Sequence, residues 1–309
     1  MRAETIGLGT KRQTVVYRGG VGPPLVWLHG LYGAEADAPM IDRLSEGYSV
    51  VAPLAPGFAD LEELEPIRDI HDLALHYDDL VEALELDHVL MAGHSFGAMI
   101  ALEIAAHVPK RVSRLVVLSP LGLWNDAHPV ADLFGVPPAE VPELLYADRS
   151  RALDSGDQRD VERVIALARG MTTVARFLWP IPDRGLARRL YRVTAPTLVV
   201  HGADDRFVPC AYADDFVALL PNARREIIPG AGHMLTVEAL EPTLTLVNEF
   251  LSEHRQPADG PFRAEARRPL AGEPVRDVSE RAPGGTRGDA EPLHGSAIAA
   301  APSTQEVQQ

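Results

Sequence analysis

The stretch from His88 to Ala105, HVLMAGHSFGAMIALEIA, restricts what this chain can fold into more than any other. It opens as an apolar run of strand length, passes through Gly93-His94-Ser95-Phe96-Gly97, and continues at once as a helix of alanine and aliphatic residues. A strand that becomes a helix so abruptly must bend sharply at Ser95, straining its backbone and lifting its hydroxyl clear of the sheet. Side chains at positions 93 and 97 would strike the adjoining strand and helix, so both positions call for glycine. The new helix leaves the Phe96 N–H without an intrahelical partner and sets the positive end of its dipole beside the hydroxyl.

The surrounding sequence agrees with a layered arrangement. Short apolar runs at Thr14–Tyr17, Leu25–Leu28, Tyr48–Ala52, His88–Ala92, Leu115–Leu118, Thr197–Val200 and Arg225–Ile228 read as strands. Helical spacing runs from about Asp69 to Leu86, Phe96 to His107, Ala211 to Leu220 and Val237 to His254. This alternation predicts an α/β fold with a mostly parallel central sheet and helices on both faces. Residues 121–192 differ in texture, with prolines at 129, 137, 138, 142, 180 and 182 between short helical stretches such as Asp160–Arg169. They read as a helical insertion dividing a core of residues 1–120 and 193–254. From residue 255 to 309, Pro, Gly, Ala and charged residues dominate, and the expectation is a disordered tail.

A serine hydroxyl needs a base at neutral pH, and the base needs an orienting carboxylate. The run REII leads into Pro229-Gly230-Ala231-Gly232-His233, a glycine-rich loop delivering one histidine. The run TLVV leads into His201-Gly202-Ala203-Asp204-Asp205, a turn with two carboxylates just past a strand end. The order serine, aspartate, histidine suits this architecture. After LVWL comes His29-Gly30-Leu31-Tyr32-Gly33, which would bring the Leu31 N–H beside that of Phe96 as a second oxyanion donor. His29, His94 and His201 read as structural histidines. His71, His76, His88, His107, His128 and His254 show no ligand spacing, so no metal site is expected.

In LHGLYG, AGHSFGA, APTLVVHGADDRFVP and IPGAGHM, over roughly residues 10–254, the chain resembles the α/β-hydrolase superfamily, in the group with a helical cap after the sixth strand. The resemblance implies Ser95 as nucleophile, His233 as base and Asp205 as acid, with Asp204 the alternative acid. Where many members read D-x-P-G-x-G, this chain has Leu54-Ala55-Pro56-Gly57-Phe58-Ala59, which implies a differently shaped loop beside the site. Serine at the elbow disfavours epoxide hydrolases and haloalkane dehalogenases, which the family builds on aspartate. Carbon–carbon hydrolases of ring-cleavage products often read G-N-S where this chain has Gly93-His94-Ser95, which tilts the reading toward ester hydrolysis.

The formal charge of −15 repels phosphate backbones and anionic lipid, so neither nucleic acid nor a membrane is an expected partner. Cys210 is the only cysteine, which excludes an intramolecular disulfide. Without a signal-like apolar N-terminus the chain reads as soluble and cytoplasmic. It has no phosphate loop or dinucleotide fingerprint, so the chemistry is expected to need no cofactor. Three functions stay open. One is a carboxylic ester hydrolase acting on a small or medium apolar ester, its pocket drawn from Met171, Val174, Phe177, Leu178, Trp179, Leu123 and Trp124. Another is a carbon–carbon hydrolase of a diketone or dienoate that uses a cap arginine such as Arg176 or Arg184. The last is a receptor-like ligand-binding protein on the same scaffold.

Overall fold

Residues two apart along the central strands belong to one face, and this period of two sorts the apolar runs into two cores. In the computed structural model, which describes residues 1–9, 12–137, 139–152, 161–180 and 182–253, those runs form one eight-stranded sheet. β1 (Arg2–Leu8) and β2 (Arg12–Gly19) pair antiparallel at one edge, and β2 pairs antiparallel with β4 (Ser49–Pro53). From there β4, β3 (Pro24–Leu28), β5 (Val89–His94), β6 (Val112–Leu118), β7 (Thr197–Gly202) and β8 (Ala223–Ile228) run parallel. Val26, Leu28, Met91, Leu115, Val117 and Val199 face one core, whereas Leu25, Trp27, Leu90, Ala92, Val116 and Val200 face the other.

The first core is covered by α2 (Ile70–Ala83), α3 (Phe96–His107) and α6 (Tyr212–Leu219). The second is covered by α1 (Ala38–Leu44), α7 (Leu235–Glu238) and α8 (Leu240–Ser252). Asp69 caps α2 by accepting the N–H groups of His71 and Asp72, which places the start expected from sequence. α3 is buried from Phe96 to Ala106, which explains its lack of a polar face.

The sheet agrees with the sequence reading except at β1. That edge strand is largely exposed and polar, so it carries no apolar run by which to find it. The expected final helix is two pieces, α7 and α8, broken at Ala239. Between β6 and β7 lie α4 (Val141–Leu145), α5 (Val161–Leu178) and three 3₁₀ turns, with no strand among the described residues. α5 continues nine residues beyond the Arg169 boundary read from sequence. Glu103 of α3, fully buried, receives both the Nε (2.8 Å) and an Nη (2.5 Å) of Arg189, pinning the end of this insertion to the core. Residues 255–309, read as a disordered tail, lie outside the described residues.

β3 leads across β4 on one side and β5 on the other, so the connections after β3 and β5 leave a crevice at their C-terminal ends, the usual site in such sheets. Leu28 pairs with Gly93 in register, which sets the 30–33 loop against the elbow.

Candidate active site

Ser95 has φ 57° and ψ −115°, a left-handed conformation that a non-glycine residue adopts only under constraint. The constraint is close packing on both flanks. A Cβ on Gly97 would lie 2.0 Å from the Leu28 carbonyl oxygen, and one on Gly93 would lie 2.6 Å from the Gly97 backbone. The glycines demanded by the motif are thus demanded by contact.

Ser95 Oγ lies 2.7 Å from His233 Nε2, and His233 Nδ1 lies 2.8 Å from Asp205 Oδ2. All three residues are buried. A carboxylate only accepts, so Nδ1 carries the ring hydrogen and Nε2 is left to accept the Ser95 hydroxyl proton. Asp205 Oδ1 accepts the Phe207 and Val208 N–H groups, both at 2.9 Å, which fixes the carboxylate plane. The Phe207 ring meets the His233 ring edge-on at 4.9 Å. Asp204, the alternative acid, is exposed, and its backbone N–H goes to Ala231.

The histidine loop is also held from the insertion. The Leu145 carbonyl accepts the N–H groups of His233 (2.9 Å) and Met234 (3.2 Å). The buried Glu238 carboxylate accepts the Gly232 N–H at 2.9 Å and the Asp148 N–H at 2.8 Å. Nothing in the local sequence around Leu145 or Glu238 announces the bonds that tie them to His233, Met234 and Asp148, because those partners are distant in the chain.

His29, read from sequence as tying loops together, bonds to two of them. His29 Nδ1 donates to the Gly30 carbonyl at 2.8 Å, and its Nε2 accepts the Ala55 N–H at 2.9 Å. Burial lowers the His29 pKa despite the carbonyl, in keeping with a neutral ring. Phe58, from the loop that departs from the family pattern, packs edge-on against His29 at 4.6 Å. It also lies against α5, where a Cβ on Gly170 would come within 3.0 Å of its ring and 2.8 Å of the Leu31 carbonyl. His201 is fully buried, and burial takes its pKa down to about 4. His71 and His107, expected to stand apart, meet at 2.8 Å on the surface. Among the described residues no group of three or more His, Cys, Asp or Glu side chains is placed to hold a metal ion.

The profile of the alpha/beta hydrolase family matches residues 25–245. The chain belongs to that family. Among curated relatives of this α/β-hydrolase, a 2-hydroxy-6-oxo-2,4-heptadienoate hydrolase of Pseudomonas putida is 26% identical over 257 residues, covering 78% of this chain and 93% of the relative. An sn-1-specific diacylglycerol lipase of Mus musculus is 25% identical over 252 residues, covering 74% and 81% respectively. Among solved structures, a meta-cleavage product hydrolase of Pseudomonas fluorescens superposes with a TM-score of 0.67 at 21% identity, covering 82% of this chain and 98% of that one. That likeness speaks for the fold.

The narrow pocket over Ser95 in this α/β-hydrolase spans about 380 Å³ of non-protein space, part of it open to solvent. Leu31 and Phe96 line it beside Ser95 and His233, and apolar walls come from Leu121, Leu133, Leu145, Val174, Leu178 and Met234. Two of the inserted residues expected to line it, Val174 and Leu178, do so. Phe177 instead stacks on Phe96 with ring centroids 5.9 Å apart, and Leu123 is buried in the core. Met171 packs against that core at its margin, while Trp124 and Trp179 are substantially exposed. Sequence spacing missed Leu121, Leu133 and Leu145 because they enter from separate segments. No helix among the described residues is long and apolar enough to cross a membrane.

Proposed function

We propose that this α/β-hydrolase is a serine carboxylic ester hydrolase with Ser95 as nucleophile, His233 as general base and Asp205 as the acid that orients it. The single observation that carries the reading is the continuous hydrogen-bonded line from Ser95 Oγ through His233 to Asp205, opening on an apolar cavity. As Ser95 Oγ attacks the ester carbonyl, its proton passes to His233 Nε2. Asp205 Oδ2 stabilises the imidazolium that forms. The Leu31 and Phe96 N–H groups receive the developing oxyanion. The tetrahedral intermediate collapses to an acyl-enzyme as His233 returns its proton to the departing alkoxide. Water, deprotonated by His233, then attacks the acyl carbonyl; collapse returns the proton to Ser95 Oγ and frees the acid.

The cavity lining argues for a small or medium apolar ester held under a cap formed by residues 121–192. Among the described residues no lysine or arginine lines it. The two arginines considered for a substrate carboxylate are engaged elsewhere. An Arg176 Nη donates to the Ile67 carbonyl at 2.7 Å, and Arg184 Nε donates to the Phe177 carbonyl at 2.7 Å. A buried carboxylate without a cationic partner carries a large desolvation cost, which weighs against an acidic dienoate.

A second reading, hydrolysis of a carbon–carbon bond in a ring-cleavage product, is favoured by relatives such as the heptadienoate hydrolase and a 2-hydroxymuconate semialdehyde hydrolase. A panel of p-nitrophenyl esters of increasing acyl length, run beside a 2-hydroxy-6-oxo-dienoate, separates the two. Ester turnover that peaks at short or medium chains and vanishes in Ser95→Ala supports ester hydrolysis. Turnover confined to the dienoate refutes it in favour of the second reading.

A further inference from the structure

Behind the line from Ser95 to Asp205 lies a second histidine–carboxylate pair that the acyl-transfer chemistry leaves unused. His94, the last residue of β5, is 1% exposed, as is Asp37 in the loop before α1. His94 Nε2 lies 3.0 Å from the His233 carbonyl oxygen, and Nδ1 lies 3.2 Å from Asp37 Oδ1. The Asp37 carboxylate also receives Trp27 Nε1 at 3.1 Å and the Thr236 hydroxyl at 2.8 Å. Thr236 sits in α7, just after His233, so both ends of the pair grip the segment that carries the base. Gly30 leaves room for this ring, since a Cβ there would come 3.2 Å from His94 Nδ1.

The acceptors fix the protonation of His94. A carbonyl oxygen cannot donate, so Nε2 must carry a hydrogen. Nδ1 lies within ion-pair reach of the Asp37 carboxylate, though not aligned for a hydrogen bond, and a proton there is favoured over a bare lone pair beside the negative charge. We propose that His94 is a standing imidazolium paired with Asp37, and that the pair is a positioning device that holds the His233 main chain and keeps a positive charge behind its ring. This inference rests on the Ser95–His233–Asp205 reading above.

The titratable groups facing His94 are Asp37, His29 from the loop after β3, Asp205 from the turn after β7, and His233 itself. Burial opposes the His94 charge, but Asp37, the carbonyl of residue 233 and Asp205 outweigh it and raise the pKa. Burial likewise opposes the Asp37 charge, yet His94, Thr236 and Trp27 bring its carboxyl below the usual range. The His94 and His233 ring centroids are 5.5 Å apart.

Nitrogen-15 NMR of the resting protein tests the charge state without any substrate. Both His94 ring nitrogens should show imidazolium shifts at about pH 8, where an ordinary histidine is neutral. His94→Gln, Asp37→Asn and the double variant are then compared by their rate of labelling with a fluorophosphonate as a function of pH. Each single variant should label roughly tenfold more slowly across the pH range, and the double should be no slower than the worse single. A neutral His94 in the spectrum, or labelling as fast as wild type in both single variants, overturns the proposal. Failure of the wild-type protein to label at all would overturn the nucleophile reading instead.

Discussion

Replacing Asp205 with Asn changes one atom and leaves the side-chain shape intact, so its effect isolates the carboxylate's role. Oδ1 of Asp205 accepts two backbone N–H groups, from Phe207 and Val208, each at 2.9 Å. An asparagine must keep its oxygen at that position, because its NH₂ there would face two donors. The NH₂ is therefore turned toward His233 Nδ1, where 2.8 Å separated the ring from Oδ2. Nδ1 must then accept, and the single ring hydrogen moves to Nε2, facing Ser95 Oγ. The base is locked in the tautomer that cannot take the serine proton. The expected loss in kcat is about a thousandfold to ten-thousandfold, or ~4–5.5 kcal/mol of barrier. Both backbone bonds survive, so stability should stay within about 1 kcal/mol of wild type. Steady-state hydrolysis of p-nitrophenyl butyrate, with urea unfolding run in parallel, reads both quantities. Asp205→Asn retaining more than a tenth of wild-type kcat would refute the argument, as would an equal loss in Asp204→Asn.

Gly97→Ala would place a Cβ 2.0 Å from the Leu28 oxygen and 2.6 Å from the His29 oxygen, so about 3 kcal/mol or more of stability should be lost in urea unfolding. Gly230→Ala meets no neighbour and should cost only ~1 kcal/mol through its positive φ of 72°. Arg189→Met strands the fully buried Glu103 charge and should destabilise by about 3–5 kcal/mol, much of it regained by adding Glu103→Leu. Burial holds the pKa of His76 at about 4, so between that value and about 6.5 the unfolded chain takes up a proton that the folded chain refuses. Stability should therefore rise with pH across that window. His76→Gln should flatten the rise between about pH 4.5 and 7, and an unchanged slope would contradict it.

The elbow was legible because its signature is local. Gly93, Ser95, Gly97 and the apolar residues on either side mark it in the sequence, although the carbonyl that excludes a side chain at Gly97 belongs to Leu28 of β3. The carboxylate that pairs with His233 was legible to within one residue. Asp204 and Asp205 share a turn, and only the fold sends one side chain to solvent and the other beneath His233. Strand β1 was not legible, because an exposed edge strand such as RAETIGL needs no apolar pattern. The supports of His233 were hidden for a different reason. Leu145, Asp37 and Glu238 act through long-range bonds to His233, His94 and Asp148, and only the closed tertiary structure brings such partners together. The cavity walls suffered likewise. A helical spacing that groups Val174 with Phe177 and Leu178 does not tell which of them turns to the cavity and which stacks on Phe96.

The nucleophile assignment is tested most directly by intact-protein mass spectrometry after exposure to diisopropyl fluorophosphate, with peptide mapping of the product. The account predicts one phosphoryl adduct per chain, located on Ser95, appearing in step with loss of esterase activity and absent from Ser95→Ala. Activity that persists in Ser95→Ala, or an inactivating adduct on any other residue, would contradict it.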